Sequence, residues 1–161
     1  MPTNFAGGLN QDVRSKMVEL LNARLVDAIS LTLAVKQAHW NLKGQGFIGV
    51  HELLDGVADR LRDSADLMAE RAIILGGFAK GTAEVVADKA ALEAYPLEIT
   101  DIEDHVQALK ERFVTVGGAV REAAEAAEEA GDEDTADLFT EVSRTLDKDA
   151  WFIGANSKAE A

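Results

Sequence analysis

The sequence predicts an all-α fold: four long helices in one bundle, with a short extra helix in the long connection between the second and third. Three observations carry that prediction. Only two prolines occur, and Ala, Leu, Glu and Asp are abundant, which favours helix over sheet. Four stretches repeat apolar residues at helical spacing, and glycines punctuate them. The link between the second and third stretches is long, as in bundles where one connection crosses the length of the molecule. A chain of 161 residues fits one domain, and a hydrophobic content of 47% is enough for a real core.

The first helix is expected from Asn10 or Gln11 to about Asn41, after a loose arm over residues 1–10. Val13, Met17, Leu20, Leu21, Ala28, Leu31 and Val35 mark its apolar stripe. Val18, Leu25, Ile29 and Leu33 widen it, so the helix should be covered on more than one side. Gly44 and Gly46 mark a turn. The second helix runs from about Phe47 to Leu75 and closes at Gly76-Gly77. A short helix is expected from Thr82 to Ala94, ended by Pro96. Thr100-Asp101-Ile102-Glu103 fits a capping box, so the third long helix starts there and stops at Gly131. Gly117-Gly118 weakens its middle or admits a close neighbour. The fourth runs from about Asp134 to Asn156, with Leu138, Val142, Leu146 and Ile153 inward and with Gly154 marking early fraying before a flexible tail over 157–161.

The absence of cysteine excludes a disulfide framework, thiolate metal sites and a cysteine nucleophile. No signal core is visible, and the longest aliphatic run, Ala72 to Leu75, is far too short to span a bilayer, so a cytoplasmic protein without membrane partners is expected. The net charge of −13 opposes sequence-independent DNA binding, which relies on Lys and Arg against phosphate.

His39, His51, Asp55, Asp66 and Glu70 carry most of the functional information. Imidazole with carboxylate suits a first-row transition metal such as iron, manganese or zinc. His51 and Asp55 stand four apart on a helix, as do Asp66 and Glu70, and the step between the pairs is almost a whole number of turns. One face therefore carries both pairs, yet about 16 Å of axial rise separates them, against the roughly 2 Å a metal–ligand bond allows. Two copies of this helix crossing antiparallel about a two-fold axis near residues 60 and 61 resolve the conflict. Asp55 then faces Asp66 of the other chain, and His51 faces Glu70. The bland alternative is the solvated face of an acidic helix. A short turn between antiparallel helices would add His39 to the cluster.

The segment AHWNLKGQGFIGVHELLDGVADRLRDSADLMAERAIILGG resembles the signature of Dps-type mini-ferritins, the ferritin-like DNA-protecting proteins of starved cells. DEDTADLFTEVSRTLDKDAWFIGAN resembles that family's last helix, and the helix layout agrees along the whole chain. The resemblance implies a ferritin-like four-helix bundle assembled into a hollow dodecamer from two-fold dimers. It implies a ferroxidase that oxidises Fe(II) to Fe(III), preferably with hydrogen peroxide and otherwise O2, and stores ferric mineral. His39, His51 and Asp55 would come from one subunit and Asp66 and Glu70 from its mate. Ordinary ferritins use Glu-x-x-His within one bundle, and no such motif occurs here. The same ligands also suit Zn or Mn. Trp40 would intercept stray oxidant or fill a subunit contact, whereas Trp151 is expected in the core. Asp132, Asp137 and Glu141 would line a three-fold pore through which iron enters, or else serve the helix dipole. Glu122, Glu125, Glu128 and Glu129 read as a solvated face, and His105 as exposed. No lysine-rich arm is present, so DNA binding is expected to be weak at most. The alternative function is a DNA-compacting nucleoid protein whose iron chemistry is secondary.

Overall fold

The computed structural model describes residues 2–158. Its regular elements are α1 (Gln11–Asn41), α2 (Phe47–Ile74), α3 (Ala83–Lys89), α4 (Ile102–Glu129) and α5 (Glu133–Gly154), and no strand occurs among the described residues. The all-α bundle expected from sequence is the fold observed.

Each long helix starts where the first turn can be satisfied or the chain can bend sharply. The Asn10 side chain accepts the Val13 amide at 2.9 Å, satisfying one free N–H of α1. Gly46 enters α2 at φ +83°, a left-handed conformation that favours glycine. The Asp132 side chain caps α5 by accepting the Thr135 amide at 3.1 Å. The capping box expected at Thr100 is not formed. Thr100 gives its carbonyl to the Lys43 amide at 2.9 Å, which holds the chain extended there. The cap falls one residue later, where Asp101 accepts the Glu103 amide at 2.8 Å.

That Lys43–Thr100 bond also settles the topology. It places the start of α4 beside the start of α2, so α2 and α4 run the same way and their connection crosses the bundle lengthwise. α1 pairs with α2 and α4 with α5, and Met17, Leu21, Leu31, Leu54, Leu61, Phe113, Phe139 and Leu146 are fully buried among them. α3 ends at Lys89, well before the expected Ala94. The Ala91 amide is drawn onto the buried carboxylate of Asp27 at 2.9 Å, and Arg112 takes the carbonyl of Ala94 at 3.0 Å. Those bonds pull the chain out of helical geometry before Pro96 is reached.

Two aromatic expectations are corrected. Trp151 is 67% exposed instead of buried, because Asp149 and Ile153 face inward and the residue midway between them must point away. His105 is only 1% exposed, because the chain after α3 folds over it and Tyr95 bonds its ring. At the termini, the Phe5 amide donates to the Ile74 carbonyl at 2.9 Å, and the Lys158 amide to Glu103 at 2.7 Å. Residue 1 of the expected arm and residues 159–161 of the expected tail lie outside the described residues.

Candidate metal centre

The tight α1–α2 turn sets the last turn of α1 against the first turns of α2, as the glycines at 44 and 46 allow. His39 and His51 stack there, with ring centroids 3.7 Å apart and planes inclined by 20°. Each ring places its Nδ1 2.9 Å from the backbone carbonyl of the other residue. A carbonyl only accepts, so each Nδ1 must carry the hydrogen. In the neutral imidazole this leaves both Nε2 atoms with free lone pairs, the form in which imidazole ligates a metal.

Asp55, one turn beyond His51, brings a carboxylate oxygen within 3.5 Å of His39 Nε2. The same oxygen accepts from the Lys36 ammonium at 2.6 Å. That hydrogen bond is the main reason the Asp55 carboxyl is held below its ordinary range, with the imidazoles contributing less. Lys36 was missed from sequence, although it lies three residues before His39 and so on the same face of α1. Trp40 projects outward at 67% exposure, its ring centroid 5.7 Å from the Lys36 nitrogen.

Asp66 and Glu70 lie exposed on the later half of α2, in line with Asp55. Among the described residues of one chain, no three His, Asp or Glu side chains converge into a metal-binding group. One chain therefore stacks His51 on His39 and sets Asp55 beside His39, without completing a metal-binding group, while Asp66 and Glu70 stand further along α2. Leu33, Trp40, Ile48, Leu67 and Ile73 are exposed on α1 and α2 as well, which adds an apolar component to this surface.

Midway along α2, Arg60 reaches across to α5 and binds the buried Asp149 with two nitrogens, at 2.9 and 2.6 Å. Burial pushes the Asp149 carboxyl upward and Arg60 partly offsets this. Asp132, Asp137 and Glu141 do not form one uniform acidic surface. Asp132 is buried, bonded to Arg71 at 2.8 Å and to the Thr135 hydroxyl at 2.6 Å, while Asp137 and Glu141 are exposed.

A ferritin-like domain family matches residues 18–158. The DNA protection during starvation protein of Agrobacterium fabrum is 46% identical over 148 residues, covering 92% of this chain and 91% of that one. The chain belongs to the Dps-type ferritin-like family. Its Mycolicibacterium smegmatis relative of the same name is 31% identical over 151 residues, covering 92% of this chain and 81% of that one. Among Dps structures, DpsC from Streptomyces coelicolor superposes with a TM-score of 0.93 at 30% identity, covering 100% of this chain and 94% of that one. The archaeal homologue from Halobacterium salinarum gives 0.91 at 26% identity, covering 99% and 90%.

Proposed function

We propose that this Dps-family protein is an iron-storing and iron-detoxifying ferroxidase. Fe(II) is the substrate, bound at sites shared by two chains. His39, His51 and Asp55 of one chain would meet Asp66 and Glu70 of its two-fold mate. Asp55 and Glu70 would hold the tighter iron, the imidazoles would place it, and Asp66 would support a second. Hydrogen peroxide is the preferred oxidant, ahead of O2. Two Fe(II) give up two electrons and two protons are taken up, so peroxide leaves as two waters without free hydroxyl radical. The ferric product would be stored in a hollow dodecamer built from two-fold dimers, protecting DNA in the cytoplasm from oxidative damage. Trp40, beside the site, would intercept stray oxidant. Asp137 and Glu141 would attract iron toward a three-fold pore, with Asp132 anchoring the helix that carries them.

The observation that carries this reading is the reciprocal pair of imidazole-to-carbonyl bonds, which leaves both Nε2 atoms ready to ligate beside Asp55. The DNA-compacting alternative draws no support from a net charge of −13. A non-enzymatic buffer for Zn or Mn is a third, weaker reading, since the ligand types suit those ions as well.

Mixing two inactive variants tests the shared site. One carries His51→Ala with Asp55→Ala, the other Asp66→Ala with Glu70→Ala. Random reassembly of equal amounts places one intact site in each mixed dimer, so oxidation should return to about one quarter of wild type. No recovery, with mixed dimers confirmed by mass, would show that the ligands do not come from two chains.

A further inference from the structure

The chain contains a single tyrosine, and it is the hydrogen-bond partner of the buried His105. Tyr95 Oη lies 2.8 Å from His105 Nδ1, and the two rings are nearly parallel at 9°. The Ile99 backbone is a second polar neighbour of the imidazole, and Nδ1 is left to accept from the phenol. Burial keeps both groups neutral, raising the phenol and lowering the imidazole. A neutral phenol donating to a neutral imidazole is the arrangement that lets a tyrosine lose an electron and a proton together. The Arg112 guanidinium lies 4.9 Å over the Tyr95 ring, which disfavours a radical cation on the phenol itself and favours loss of its proton to His105 together with the electron.

Position completes the case. Tyr95 and Leu33 line one surface cavity of about 720 Å³, and Leu33 lines the adjoining one with Lys36 and Trp40. Tyr95 and Trp40 thus border two adjoining cavities joined at Leu33 of α1.

We infer that Tyr95 and His105 form a radical sink that drains one-electron oxidants arising near the His39 end of the bundle. This rests on the ferroxidase reading for the source of the oxidant. A site holding one Fe(II) instead of two reduces peroxide by a single electron and yields hydroxide and hydroxyl radical. The radical, directly or through Trp40, takes one electron from Tyr95 and becomes hydroxide. The Tyr95 O–H bond breaks, an N–H bond forms at His105 Nδ1, and a neutral tyrosyl radical remains beside an imidazolium. A further Fe(II) returns the electron and His105 returns the proton. The net change is one Fe(II) oxidised and one hydroxyl radical reduced to hydroxide.

Freeze-quench electron paramagnetic resonance on the full-length assembly tests this, because any tyrosyl signal can come only from Tyr95. One arm uses Fe(II) with hydrogen peroxide. The other uses pulse-generated azide radical, which oxidises tryptophan and tyrosine without iron. We expect a tyrosyl signal in both arms, its absence in Tyr95→Phe, and a solvent deuterium isotope effect on its formation. In His105→Leu, formation should slow by about a hundredfold, the low end of what a positioned proton acceptor contributes. Should that variant not fold, Tyr95→Phe and the isotope effect decide. Iron oxidation without any tyrosyl signal overturns the sink and leaves the ferroxidase reading intact. If iron is not oxidised, that reading fails, and the azide arm decides the sink. Transfer of a tryptophanyl radical to tyrosyl sustains it, and tryptophanyl decay with no tyrosyl ends it.

Discussion

The two halves of α2 bear similar ligands in different settings. In the early half, His51 is bonded to the end of α1 and stacked on His39, and Asp55 is held by Lys36. In the later half, Asp66 and Glu70 are exposed, and the nearest built-in anchor is Arg71, which turns the other way to grip Asp132 and Thr135. The early half is organised before any metal arrives; the later half is bare carboxylate on a helix fixed from behind. On the proposed reading the ligand set is divided between a hydrogen-bonded receiver and an exposed carboxylate pair, and a partner chain is needed to join them.

The largest expected effect is on chemistry. Asp66→Ala with Glu70→Ala should slow Fe(II) oxidation as severely as His51→Ala with Asp55→Ala. Both should lose more than the roughly 10–100-fold that supporting residues are worth, read by stopped-flow absorbance of Fe(III). Retained activity in either would mean that half is not a ligand. Arg71→Met comes next. It leaves the Asp132 carboxylate buried without its cation and should cost about 3 kcal/mol in chemical denaturation. Stability then separates the halves: His51→Ala loses a half-buried hydrogen bond and a stack, about 1–2 kcal/mol, whereas Asp66→Asn or Glu70→Gln should stay within about 0.5 kcal/mol. Equal costs would erase the distinction between receiver and donor.

The smallest effect belongs to Lys36→Met. Asp55 should then titrate nearer its ordinary value of 3.8, as read by carboxyl-carbon NMR. The stabilisation in the wild-type pair is present above that value and disappears as pH falls through the lowered one. The variant should lose this acid-side dependence. With a competing ammonium gone, Fe(II) should bind more tightly, by up to about tenfold.

The features legible in the sequence were local. Helix periodicity, the glycines that end helices and the four-residue ligand spacings all lie within a few turns of chain, where geometry is fixed by rise and rotation. His39, His51 and Asp55 meet because the turn between their helices is short. What sequence missed was set by contacts between segments far apart along the chain. Asp132 looked like one of three pore acids, and only the arrival of Arg71 from α2 buries it. His105 looked exposed among acidic neighbours until the chain after α3 closed over it. Lys36 was visible one turn from His39, but its role depends on Asp55 from the adjacent helix. Trp151 was a misjudged phase: Val142, Leu146 and Ile153 are inward as expected and already excluded it, while the fully buried Phe139 takes the place given to the half-buried Leu138.

On the proposed reading, the crossed imidazole-to-carbonyl bonds make metal binding depend on the α1–α2 hairpin as a closed unit. Part the two helices, and each ring loses the acceptor that assigns its hydrogen, so either nitrogen can carry it and the ligating lone pair is no longer guaranteed. Occupancy and hairpin closure are thereby linked: a bound cation should slow amide hydrogen exchange around residues 38–51, and a hairpin that breathes should release its cargo.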